Sequence, residues 1–244
     1  LAHARGELEG YLQPEVPGAQ LGLLAQRGLT EPTRGKRIEL MQQLVDQFPP
    51  SHVAYARFAT SLAFDYLLAG DAVMAYRTRV LVIASLEARA ERDRDDTMLA
   101  EALVDAAWSA LDVAEHSEGD QTPYLTAALD LLDRRERFAN ARTEIDPLRG
   151  QALLALGRVK EALPLLERGI AIAEAETSPI ANKIANRSFL LAQALWSGDR
   201  RDRDRAKALA SYAREQFAKA HALYLSDLHN YAAADSTLQR RLAR

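Results

Sequence analysis

The residues of this chain best equipped for chemistry are its histidines, one glycine-and-lysine loop and a few clusters of charge. The histidines are His3, His52, His116, His221 and His229. A zinc helix needs two imidazoles at i and i+4 with a glutamate beside the first, and no two histidines here have that spacing. His221 and His229 stand about two helical turns apart, too far to share one small ion. All five read as solvated or helix-end side chains. Residues Gly28 to Arg37 carry the residue types of a phosphate-binding loop, which needs four residues between its glycines and a Ser or Thr after its Lys. Here six residues separate Gly28 from Gly35 and Arg37 follows Lys36, so the stretch reads as the approach to a helix. Asp112, Glu115, His116, Glu118 and Asp120 crowd acid groups at one helix end without the spacing of a calcium loop. From Asp199 to Arg205 the charges alternate in sign, which offsets any pull on a polyanion and reads as a soluble turn. Asn186-Arg187-Ser188 has the pattern of a glycosylation acceptor but falls inside an expected helix. Nowhere do a nucleophile, a base and an orienting group come together. No catalytic residue, metal or cofactor is expected, and the chain is read as not an enzyme.

Composition agrees with that reading. Apolar residues make up 48%, charged residues 27%, and the net charge is −3. A nucleic-acid binder would show a basic excess, and there is none. Cysteine is absent, which excludes disulfides and thiolate-held metals. Apolar runs such as Val80 to Ala84 are far below the roughly 20 residues that span a bilayer. No membrane insertion or secretory leader is expected, and the cytoplasm is the expected compartment. Because the chain opens on Leu1, it is expected to be part of a longer polypeptide.

The elements that position these residues are helices. Glycine and proline are scarce, at 12 and 9 residues. Alanine, leucine, arginine and glutamate dominate, and these lose least on entering a helix. Residues 1–35 form an irregular segment whose prolines and glycines interrupt two short helical pieces. From residue 36 to 244 the apolar period is helical, with hairpins expected near 51–90, 97–138, 143–176 and 178–219 and a last helix over 223–242. Pro49-Pro50 stops the first strong helix and Ser51 is the expected cap of the next. Gly70-Asp71 ends one helix and caps another, and Gly157 separates two more. About ten helices with short connections define an all-α class in which each helix buries its stripe on its neighbours.

Self-comparison finds a repeat. Gly150, Leu153, Gly157, Ala162 and Gly169 place a small residue in one helix, a large one three later, glycine at the turn and small residues down the second helix. The pattern recurs at Ala63, Tyr66, Gly70, Ala75 and Val82, and with an insertion at Ala192, Leu195, Gly198, Ala206 and Ala213. A degraded copy fits around Ala107, Leu111 and Ala128. This segment resembles the tetratricopeptide (TPR) repeat, in which small side chains allow two helices to cross closely. The resemblance covers about residues 36–220 and is strongest over 143–176. It implies an α-solenoid of antiparallel hairpins, with 223–242 as the capping helix. A narrower likeness links Arg187–Trp196 and Arg205–Arg214 to the C-terminal TPR region of large bacterial serine/threonine kinases and to TPR-bearing bacterial regulators. The chain holds none of the kinase catalytic motifs.

The TPR resemblance implies a protein or peptide partner held in a concave groove lined by the first helix of each hairpin. Carried onto this chain, the partner-binding positions are Arg57 and Phe64, Gln151, and Asn186, Phe189, Gln193 and Trp196. Thr60, Leu67, Leu148 and Leu154 complete that wall. Thr60, Phe64, Leu148 and Gln151 stand where carboxylate-clamping relatives use Lys and Asn, so a chaperone-tail clamp does not fit. An apolar, aromatic and amide wall suits an amphipathic helix or an extended segment. The implied role is a non-catalytic interaction scaffold. The alternative is a sensing module that docks on a kinase or DNA-binding domain of the same polypeptide.

Overall fold

A computed structural model describes residues 31–89, 96–138, 145–175 and 181–223. The described residues form nine α-helices: α1 Glu31–Asp46, α2 Val53–Leu68, α3 Ala72–Glu87, α4 Asp96–His116, α5 Thr122–Arg135, α6 Asp146–Ala155, α7 Val159–Ala175, α8 Ala181–Ser197 and α9 Arg203–Leu223. They fall into two compact units, Leu1–Thr143 and Glu144–Arg244. In the first, α1 through α5 pack each on the next; in the second, α6 through α9 do the same and α6 also touches α8.

Local sequence explains the helix ends. α1 stops at Asp46, ahead of Pro49, and the Phe48 ring stacks on His52 and on Phe58 at 4.9 and 5.6 Å. The cap of α2 is His52 rather than the expected Ser51, and its Nδ1 accepts from Ala54 N at 3.1 Å. Gly70 lies at φ +79°, and Asp71 N donates to Tyr66 O at 2.9 Å. That geometry closes a helix with a left-handed residue, which costs glycine nothing. Asp71 then accepts from Met74 N at 3.0 Å and starts α3. Gly157, at φ +75°, repeats the device between α6 and α7, with Arg158 N donating to Leu153 O at 2.8 Å. The third turn is built differently. Gly198 stays out of the left-handed region, and Asp199 accepts from Arg201 N at 3.0 Å to cap a short 3-10 turn, Arg200–Asp202.

α1 begins at Glu31, with Pro32 in its first turn, where a missing N–H costs nothing. The expected short helices near 2–12 and 19–27 lie outside the described residues. So does the expected cap over 223–242, apart from Leu223, on which α9 ends.

Small residues set the crossings. Ala56, Ala59 and Ala63 of α2 and Ala75 of α3 are fully buried, as Leu62 and Leu86 are. Between α6 and α7 the approach is closer still. A Cβ on Gly150 would stand 2.7 Å from Leu166 Cδ2, and one on Gly169 would stand 2.8 Å from Pro147 Cγ. Neither position admits a side chain without moving its neighbour. Ala162, Leu153 and Leu166 are buried, as are Ala192 and Ala206. Tyr66 is half-buried, with its hydroxyl held above the usual phenol range by burial first and by Asp71 and Asp46 second.

Candidate docking surface

Among the described residues no group of three acidic, histidine or cysteine side chains is placed to hold a metal ion. No helix among them is long and apolar enough to cross a membrane. The acidic helix end comes apart into local contacts. His116 Nδ1 lies 3.2 Å from Asp112 Oδ1, while Asp120 accepts from Thr122 N at 3.0 Å and starts α5.

The first helices of the hairpins, α2, α4, α6 and α8, carry the surfaces of interest. On α2, Arg57 is exposed and Phe64 is 53% exposed, directly after the fully buried Ala63. Thr60 and Leu67 are half-buried, and Thr60 donates its hydroxyl to Ala56 O at 2.8 Å. On α6, Leu148, Gln151 and Leu154 are half-buried. On α8, Asn186 is exposed and Gln193 half-buried. Trp196 is half-buried as well, and the Arg203 guanidinium sits 5.0 Å from its ring, a cation–π contact across the α8–α9 turn.

Phe189 is a correction. It is buried at 8% exposure in a cluster with Ala192, Ala210 and Ala213, and Leu209 packs on that cluster. The face of α8 three residues past Asn186 is covered by α9, so this ring fills the hairpin and lines no open surface. Arg187 and Ser188 of the glycosylation pattern are buried too.

The sequence reading passed over Trp108. From Leu99 to Ala114 every residue of α4 is buried except Glu101, Asp105, Trp108 and Asp112, and Glu115 extends the same stripe. Trp108 is 45% exposed and follows the fully buried Ala107 as Phe64 follows Ala63. The signal was present, since these residues interrupt an otherwise small or apolar helix at spacings of four and three. It was lost because the repeat copy around Ala107 is degraded and its groove positions were not carried over.

Buried ionic groups lie behind these faces. Arg37 Nε of α1 donates to Asp65 Oδ1 of α2 at 2.6 Å, and Asp65 is fully buried. Burial holds its carboxyl above the usual range, with Arg37 opposing through its hydrogen bond and charge. Arg79 Nη1 of α3 donates to Asp105 O and to Ser109 Oγ of α4, each at 2.6 Å, and Arg79 Cζ lies 5.7 Å from the Trp108 ring centre. Asp105 and Asp112 are pushed up by burial. Arg79 pulls Asp105 back, while His116 and then Arg79 do so for Asp112. In the second unit Arg187 Nη1 of α8 donates to Gly169 O of α7 at 2.6 Å.

No protein-family model matches the chain, and no curated protein matches it. Among solved structures it is similar to the crystal structure of a putative kinesin light chain from Podosopora anserina with nearly identical TPR-like repeats. The TM-score is 0.59 at 20% identity, covering 84% of this chain and 97% of that one. Identity that low speaks to the fold. The fold is that of TPR-like helical hairpins, in the α-solenoid class. This likeness says nothing of the narrower resemblance to kinase-linked regions.

Proposed function

With TPR-like hairpins as the premise, we propose that the chain is a non-catalytic interaction scaffold that binds a peptide or helix of a protein partner. Within each unit the binding surface is formed by the exposed stripes of its first helices. One observation carries this reading: Phe64 and Trp108 stand at the same place in successive first helices, each just after a buried alanine, and both rings face solvent. Large aromatic side chains left in water on a rigid helix supply contact area at small entropic cost when a partner covers them. Arg57, Gln151, Asn186, Gln193 and the edge of Trp196 supply polar contacts along the same kind of stripe.

The test compares the parent with Phe64→Ala and Gln193→Ala. Both variants keep their helicity and melting temperature, because neither side chain is fully buried. Phe64→Ala lowers recovery of a crosslinked partner about tenfold, the weight of one buried aromatic anchor. A crosslinking survey in which neither change alters any interaction overturns the proposal.

A further inference from the structure

The stripe on α4 has a chemistry of its own. Its members Glu101, Asp105, Trp108, Asp112 and Glu115 are spaced four, three, four and three residues apart, the period of a helix–helix seam. Four carboxylates flank one tryptophan symmetrically, two before it and two after. Neither Glu101 nor Glu115 has an ion-pair partner among the described residues. Among the described residues the charges set against the stripe are Arg79 from α3 and His116 at the end of α4 itself, so its carboxylates outnumber them.

A second observation comes from beneath it. Arg79 is more than nine-tenths buried and ends at the foot of the stripe, its guanidinium held by Asp105 O and Ser109 below the Trp108 ring. Its Nε, which finds no acceptor among the described residues, is itself sealed from solvent, so what the stripe offers a partner is the ring and the carboxylates. A bare cation would answer the carboxylates and leave the aromatic ring uncovered. A polypeptide brings cations and apolar side chains together.

We propose that the α4 stripe docks a basic amphipathic helix of another polypeptide, with Lys or Arg at the four-three spacing on either side of one apolar residue that covers Trp108. The carboxylates select the sign of the partner and steer its approach, and the tryptophan fixes the register. This inference rests on the interaction-scaffold reading and adds to it the partner's charge and spacing.

The experiment uses the whole chain and labelled helical peptides of about 15 residues, enough to run the stripe at 1.5 Å per residue. One peptide carries Arg at the four-three spacing around a central Leu. A second has the same composition with the Arg residues moved off that spacing, and a third has Glu in their place. Fluorescence anisotropy is expected to show the first binding about tenfold more tightly than the second, with no binding of the third and a marked loss at high salt. Trp108→Ala and the double variant Glu101→Gln with Glu115→Gln each weaken the first peptide about fivefold to tenfold, while a change at exposed Lys160 of α7, Lys160→Ala, leaves it unchanged. Equal affinity for the first two peptides overturns the proposal, as does a double variant that binds like the parent. A neutral or acidic peptide that alone binds, and does so through Phe64 or Gln193, removes this inference and leaves the scaffold reading standing. Failure of every peptide, whatever its charge, counts against both.

Discussion

In the N-terminal unit successive hairpins are joined by buried polar groups: Arg37 meets Asp65 between α1 and α2, and Arg79 meets Asp105 O and Ser109 between α3 and α4. In the C-terminal unit the approach within the α6–α7 hairpin is made closer by absent side chains than alanines allow in α2 and α3. Gly150 and Gly169 let α6 and α7 approach until Leu166 and Pro147 fill the space a Cβ would take, and Arg187 to Gly169 O makes a buried polar join between α7 and α8. The exposed faces differ in step. The place after the small crossing residue holds Phe64 and Trp108 in the first unit and Gln151 and Gln193 in the second. A buried arginine is long and must be satisfied, so it ties one helix to one particular neighbour. A glycine crossing is indifferent to polarity but intolerant of volume. One architecture thus stands on two kinds of join, and each fails in its own way.

The largest expected effects fall on the volume-sensitive unit. Gly150→Val should cost roughly 3 kcal/mol or more, since its Cβ alone meets Leu166 at 2.7 Å. Peptide-resolved hydrogen exchange should show α6 and α7 opening while α2 to α5 keep their protection; equal loosening of both units would erase the contrast drawn between them. Phe189→Ala should cost about 3 kcal/mol by leaving a cavity among Ala192, Ala210 and Ala213, against about 0.5 kcal/mol or less for Phe64→Ala. Denaturant melts of the two variants check this, and similar midpoints would return Phe189 to the surface. Arg79→Met should cost about 2 kcal/mol, because Asp105 and Asp112 lose the charge that offsets their burial and two buried acceptors lose a donor. A melt unchanged from the parent would mean that the polar join is dispensable.

The smallest effect is a divergence with pH. Asp65, Asp105 and Asp112 are all raised in the folded state by burial. The native chain therefore takes up these protons before the unfolded chain does, and stability falls as pH rises. Acidifying from neutral toward the ordinary Asp value of about 3.9 should steady α2 and α4. Glu161 in the second unit is held low by its hydrogen bond and ion pair with Arg158, so its contribution is present above the unfolded Glu value and is lost as pH falls. Exchange rates corrected for their intrinsic pH dependence should move in opposite directions in α4 and α7. A common direction would show that other groups dominate.

Much of the repeat was legible along the chain because its constraints are local. Gly70 and Gly157 are the described residues at positive φ, and their turns need only the backbone around them. The small-residue pattern at Ala63, Ala75, Gly150 and Ala162 likewise repeats at short range. The candidate site was less legible. Phe189 and Phe64 sit in equally apolar stretches, and nothing within either helix says which ring another helix will cover. Trp108 went unseen because its copy of the pattern is worn.

By itself the sequence determined helices, their turns and their hairpin pairing, since capping, left-handed glycines and helical periodicity act over a few residues. Tertiary structure alone decided which polar side chains go inside. Arg37, Asp65 and Arg79 are residue types that usually face water, and Asp65 and Arg79 become core only because partners 28 to 30 residues away arrive to satisfy them. It also decided that α4 shows solvent a single stripe, because the faces left over by packing depend on every neighbour at once.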